Sequence, residues 1–271
     1  MTVGTFFAGP TPRVIGHRGA AALAPENTLP SFALALALGA DGLELDVWGT
    51  RDGVVVVMHD ATLERTTDGN GLVSEHTWYE LRKLDAGCRC TRDGHDFPFQ
   101  DQGVRIPTLE AVLQRFPLAG CVIEVKQPDP PIVEEIVRIV TQLNAQGRVL
   151  LASEYDAVIQ HIRRHTDDIV TGLAANEVAD FIARVDAGNF DGYRPPGRAL
   201  QVPCRFGDKE LITEASVAAA HECGLEVHAW TINDRRQMES LLAIGVDGII
   251  SDVPGLARLV VDRWKAVRGK R

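Results

Sequence analysis

Positive charge is in short supply in this chain of 271 residues: 28 lysines and arginines face 37 aspartates and glutamates, a formal net charge of −9. That balance leaves no general basic field for a nucleic-acid backbone or an anionic membrane surface, and an anionic substrate would have to meet a local positive site. Cysteine is scarce as well. The five present, Cys88, Cys90, Cys121, Cys204 and Cys223, are odd in number and form no Cys-x-x-Cys pair. Neither a disulfide framework nor a structural zinc site is therefore indicated, and free thiols in a reducing compartment are the simplest account. No apolar run approaches the ~18 residues of a membrane span, and the opening MTVGTFFAGPTPR has no basic region followed by an apolar segment of signal length. A soluble cytoplasmic protein without a stable membrane anchor is expected. No glycine-rich dinucleotide fingerprint follows the first apolar run, which disfavours the doubly wound open sheet that uses one. Composition says nothing about oligomeric state.

Apolar residues, in contrast, make up 45% of the chain, enough for a large core in one barrel-sized domain or two smaller ones. Short apolar runs recur at Val14–Ile15, GLELDV (42–47), GCVIEVK (120–126), VLLAS (149–153), IVTGL (169–173), ALQVP (199–203), LEVHAWT (225–231) and DGIIS (247–251). The first is too apolar to alternate, as expected of a parallel strand covered on both faces. Helical signals fill the gaps: SFALALALGA ending in Gly39–Ala40, TLEAVLQRF opened by Thr108, PPIVEEIVRIVTQLNAQG, DAVIQHIRRH, EVADFIARVDAG, EASVAAAHECG, DRRQMESLLAIG and LARLVVDRWKAV. About eight strands alternating with about eight helices predict an α/β fold, a closed (β/α)8 barrel formed by residues 1–271 as one domain. The rhythm breaks at 60–107, a polar, turn-rich stretch with one short helix expected around TWYELRKLDAG. It reads as a small cap inserted after the second strand unit.

The polar residues that interrupt this pattern sit where strands end, and in parallel barrels that is where ligands bind. The first run stops at His17, Arg18 and Gly19. Glu44 and Asp46 are two apart on a strand, so both carboxylates point the same way. Side by side in a core they repel and lose hydration, which a bound cation would offset. Glu124 and Lys126 repeat the spacing on the next strand. Three carboxylates suit a hard divalent ion, Mg²⁺ or Ca²⁺. His59 ends the run VVVVMHD, which follows an Asp52–Gly53 turn and is expected to pair as a hairpin with 46–50. Two histidines beside such a cluster can divide acid and base roles. Trp230 in VHAWTIND is either core packing or an apolar wall for the organic part of a substrate.

Taken together, GHRGA, PENT, ELDV, VVMHD, TLERTTDGNG, IPTLEAVL, IEVK, VHAWTIND and GVDGIISDVP resemble the glycerophosphodiester phosphodiesterase family, in the family's order from about residue 13 to residue 256. The resemblance implies a barrel, a divalent cation, and hydrolysis of a small-molecule glycerophosphodiester such as glycerophosphocholine to an alcohol and glycerol 3-phosphate. It implies that His17 and His59 are the acid and base, that Glu44, Asp46 and Glu124 ligate the metal, and that Arg18 and Lys126 contact the phosphate. Glu26 and Asn27 of PENT would orient the ligands. The mechanism it suggests is attack by the neighbouring glycerol hydroxyl through a cyclic phosphate. Two alternatives remain: a lysophospholipase D-type activity on lysolipids, and a barrel that binds phosphoesters without turning them over. Glu154–Tyr155 and the Cys88–Cys90 stretch CRC depart from the family pattern and bear on the choice of leaving group.

Overall fold

The computed structural model describes residues 9–129 and 131–268. The opening stretch read for a signal segment therefore lies mostly outside the described residues, as does Pro130 at the head of one predicted helix. In chain order the strands are β1 (Arg13–Gly16), β2 (Gly42–Gly49), β3 (Val55–Val57), β4 (Gly120–Val125), β5 (Val149–Ala152), β6 (Val170–Thr171), β7 (Ala199–Val202), β8 (Arg205–Phe206), β9 (Lys209–Glu210), β10 (Glu226–Ala229) and β11 (Gly248–Ser251). The helices are α1 (Leu29–Ala37), α2 (Trp78–Leu81), α3 (Leu109–Arg115), α4 (Val133–Gln142), α5 (Asp156–His165), α6 (Ala175–Ala187), α7 (Glu214–Glu222), α8 (Arg235–Ile244) and α9 (Pro254–Arg268).

The parallel strands run in the spatial order β6-β5-β4-β2-β1-β11-β10-β7, and a parallel bridge from Gly172, just past β6, to Ala199 on β7 closes the ring. The chain thus forms the (β/α)8 barrel that the alternation predicts. Strand pleat divides its apolar residues between two layers. Ile15, Val122, Leu150, Ala199 and Ile250 meet inside the ring as a buried plug. Leu43, Leu45, Val47 and Ile123 point outward, under α1, α3, α4 and α5. Because Glu44 pairs in register with Val122, and Asp46 with Glu124, all three carboxylates share the inner face, above the plug.

The expected hairpin forms: β3 pairs antiparallel with Val47–Gly49 across the Asp52–Gly53 turn, where Gly53 takes φ 80°. The segment after it packs around its own small core of Met58, Leu63, Val73, Leu81, Val104 and Ile106. It returns beside its point of departure, since Val57 N donates to Pro107 O (2.9 Å) and Val56 bridges Thr108. The helix expected around TWYELRKLDAG is the single turn α2, opened by a capping box of Thr77 and Glu80. Two other boundaries differ from the pattern. The helix predicted over PPIVEEIVRIVTQLNAQG stops at Gln142 because Asn144 enters the left-handed region (φ 51°), after which Gln146–Arg148 form a separate 3₁₀ turn. The strand predicted over LEVHAWT ends at Ala229, which leaves Trp230 42% exposed and removes the core-packing reading of its side chain. Among the described residues no helix is long and apolar enough to cross a membrane.

Candidate active site

β1 ends in Gly16, and the chain must turn sharply so that α1 can pack back on the barrel. Arg18 (φ 49°) and Gly19 (φ 91°) make that turn in the left-handed region. A Cβ on Gly19 would lie 2.4 Å from Ser31 Oγ, so only glycine fits there. Ser31 Oγ in turn donates to Arg18 O (3.0 Å) and accepts from Ala20 N (2.9 Å), which fastens the turn to the first turn of α1. The result is a rigid mount for His17 and Arg18 at the carboxyl end of β1.

His17 Nδ1 is bonded to Asp252 Oδ1 (2.7 Å), a residue that follows β11, the strand next to β1. Asp252 is itself fixed by Asn233, whose Nδ2 donates to Oδ2 (2.6 Å). With Nδ1 occupied, the Nε2 atom stands 3.9 Å from Glu44 Oε2. Burial works against a charged ring, but the hydrogen bond to Asp252 and the charge of Glu44 outweigh it, and the pKa of His17 is raised. Asp252 is held below the usual carboxylate range: burial opposes this, and the bonds from His17 and Asn233 prevail.

Glu44, Asp46 and Glu124 bring a carboxylate oxygen each to within 4.8 Å of one another. Arg18 N donates to Glu44 Oε2 (2.9 Å), and Asn27, at φ 57°, donates through Nδ2 to Asp46 Oδ2 (2.8 Å). Lys126 Nζ lies 2.9 Å from Glu124 Oε1 and 3.4 Å from Asp46 Oδ1. Arg18 Nε sits 3.3 Å from Asp46 Oδ2 without the alignment of a hydrogen bond. Two cations thus serve three carboxylates. Glu44 is the one left short: burial and then the charge of Asp46 push it up to about 8. Glu124 is raised by burial, with Lys126 pulling the other way. An incompletely neutralised, all-oxygen donor set in a buried position is what a hard divalent ion requires, and these residues fit one.

The second histidine arrives from the hairpin. Past β3, His59 Nδ1 meets Asp60 Oδ1 (2.6 Å), and His59 O accepts from Trp48 Nε1 (3.0 Å). Asp60 is pulled down to about 2, first by the hydrogen bond from Arg65 and then by His59, against burial. Arg65 also grips Glu26 with both terminal nitrogens (2.7 and 2.8 Å), and Glu26 Oε1, which takes one of those bonds, accepts from Arg18 NH1 as well (3.0 Å). One arginine from the 60–107 segment therefore ties the His59 carboxylate to the carboxylate that steadies Arg18. The structure brings together every residue singled out from the sequence except Trp230, which stands apart, exposed just past the end of β10. The sequence reading missed Asp60, Arg65 and Asn233 as parts of the site and gave Asp252 no role. Only the position of Asp252 and Asp60 beside strand-end motifs hinted at them.

The model of the glycerophosphoryl diester phosphodiesterase family matches residues 17–256, from His17 to the helix after Asp252. The chain belongs to that family. Membership makes it an enzyme, a phosphoric diester hydrolase. A glycerophosphodiester phosphodiesterase of Caldanaerobacter subterraneus is 34% identical over 253 residues, covering 89% of this chain and 94% of its own. The solved phosphodiesterase of Oleispira antarctica, which holds the product sn-glycerol 3-phosphate, superposes with a TM-score of 0.73 at 28% identity, covering 93% of this chain and 97% of that one. A domain from Mycobacterium tuberculosis at 24% identity shares the fold with a TM-score of 0.82, covering 94% of this chain and all of that one.

Proposed function

We propose that the barrel mouth hydrolyses a glycerophosphodiester to an alcohol and glycerol 3-phosphate, using His17 and His59 for proton transfer beside a divalent cation held by Glu44, Asp46 and Glu124. The observation that carries this reading is the pair of imidazoles, each with Nδ1 held by its own carboxylate, set around a buried three-carboxylate cluster. Holding Nδ1 fixes the ring and leaves Nε2 as the exchanging atom. When bound, Mg²⁺ or Ca²⁺ supplies positive charge opposite the phosphate oxygens as charge develops on them.

The chain's own residues divide the rest. Arg18 and Lys126 add the positive field that the acidic protein otherwise lacks, and both are fixed by carboxylates before substrate arrives. Glu26 and Asn27 hold Arg18 and Asp46 in place. Trp230 stands exposed as an apolar wall for the organic part of the substrate. Residues 1–271 act as one domain, with 60–107 as a cap that contributes His59's support and lies beside the mouth.

No protein nucleophile is needed. The serines at the ends of β5 and β11 are spent on structure, Ser153 Oγ donating to Val125 O (2.7 Å) and Ser251 Oγ to Asn233 Oδ1 (3.0 Å). The glycerol hydroxyl next to the phosphoester attacks instead. The new O–P bond forms as the bond to the alcohol breaks; one imidazole takes the hydroxyl proton and the other protonates the departing oxygen. Water then opens the cyclic phosphate with the two roles exchanged. Glycerophosphocholine and its 2-deoxy analogue, compared by kcat and by phosphorus NMR, test this route. A rate lower by orders of magnitude for the analogue and a transient cyclic ester for the parent substrate are expected. Equal kcat values would point to direct attack by water, and a preference for lysolipids in the same assay would move the substrate class.

A further inference from the structure

A second group of donors lies outside the strand ring, where α4 meets α5. His161 and His165 are four residues apart on α5, so they share one face of that helix, and Glu134 reaches them from α4. Glu134 Oε1 is 2.9 Å from His161 Nε2 and 3.4 Å from His165 Nε2. We propose that Glu134, His161 and His165 form a second cation site, for a borderline divalent transition ion of the zinc class. This proposal is independent of the hydrolytic reading of the mouth.

Three features separate this arrangement from a surface ion pair. The first is spacing. Ligands at about 2.0–2.2 Å from a tetrahedral ion stand about 3.3–3.5 Å from one another; the His165 separation of 3.4 Å matches this, the His161 separation of 2.9 Å needs only a small opening, and all three donor atoms lie within 4.8 Å of one another. The second is the tautomer. His165 Nδ1 is bonded to the carbonyl of His161 (2.9 Å), and a carbonyl can only accept, so Nδ1 carries a proton and the neutral ring presents its lone pair at Nε2. The third is convergence. The two rings lie 4.4 Å apart, tilted by 34°, and both Nε2 atoms converge on the same carboxylate oxygen, so one divalent ion satisfies both imidazoles and the carboxylate together. The side chains are 54% (Glu134), 21% (His161) and 40% (His165) exposed, which leaves an entry path and room for water as a fourth ligand.

The donor chemistry distinguishes the two sites. Two imidazoles and one carboxylate favour zinc, nickel or copper, whereas the all-carboxylate mouth favours magnesium or calcium. An ion between α4 and α5 would pin two neighbouring helices of the outer layer without touching the reacting groups.

The test is titration of the full-length protein with zinc chloride by calorimetry, in saturating Mg²⁺, for the parent and for His161→Ala, His165→Ala and Glu134→Gln. The parent should take up one equivalent of zinc more than the histidine variants, and Glu134→Gln should bind that equivalent at least ~10-fold more weakly. At zinc about 100-fold above its Kd the parent's Tm should rise by about 5 °C more than that of the histidine variants, given 271 residues. Hydrolysis of glycerophosphocholine in Mg²⁺ should be unchanged in all three variants. Equal zinc stoichiometry and affinity in parent and histidine variants would overturn the site, as would a parent that takes up no zinc. Loss of hydrolysis in the variants would overturn its separation from the mouth.

Discussion

Glu44 is where stability and chemistry pull in opposite directions. It is 5% exposed, has Asp46 beside it, and is raised from the ordinary 4.5 to about 8. A carboxyl that holds its proton more tightly folded than unfolded lowers stability as pH rises, beginning near the unfolded value and reaching its full cost above the folded one. Between those two values the metal-free protein should lose stability continuously; at pH 7 the contribution of this one group amounts to about 3 kcal/mol, from ~1.36 kcal/mol per unit of separation. Glu44→Gln removes the charge yet keeps an oxygen that can accept from Arg18 N. In urea, with chelator present, the variant's advantage over the parent should therefore grow by about 3 kcal/mol between pH 4 and pH 7, a shift of about 1 M in the midpoint for a chain of this size. Comparing how the difference changes with pH cancels any constant cost of the new amide. Adding Mg²⁺ or Ca²⁺ should flatten the parent's curve and leave the variant's unchanged, while hydrolysis by the variant collapses. Parallel pH curves for the two proteins in chelator would refute the claim that Glu44 is an uncompensated buried charge. Parallel responses to the cation would refute its place among the ligands.

Other consequences can be measured on the same preparations. His17→Ala and His59→Ala should each lower kcat by ~10² or more with little change in cation affinity by calorimetry, and near-parental turnover would remove that residue from proton transfer. Asp252→Asn weakens the contact that most favours protonated His17, so the limb of the kcat–pH profile assigned to this histidine should move to lower pH; a limb that stays in place would mean that another group titrates there. Arg65→Met releases Glu26 and Asp60 together, so kcat should fall by about tenfold with a stability change under ~1 kcal/mol, because the side chain is 46% exposed. A large stability loss with normal turnover would recast Arg65 as a structural clamp.

Much of this protein was legible in its linear sequence because local physics writes it there. The eight parallel strands and the helices between them follow from period and punctuation, down to α5, whose bounds match the sequence signal DAVIQHIRRH from end to end. The two-residue period of a strand alone puts Glu44 and Asp46 on one face, and a polar residue that stops an apolar run must lie where that strand leaves the core. The positions of His17, Lys126 and His59 follow in the same way. Helix ends were less legible, since α4 stops where Asn144 adopts a left-handed conformation that nearby contacts select. The long-range partners of the candidate site's side chains were not legible. Asp252 lies 235 residues from His17 and meets it only because β11 pairs with β1 to complete the ring. Arg65 reaches Glu26 across 39 residues because the 60–107 segment folds back to its own starting point. Glu134 faces the His161–His165 pair only once α4 and α5 are packed side by side. Local pattern sets which face a residue occupies; strand order and stagger decide its neighbour, and those are fixed only when the ring closes.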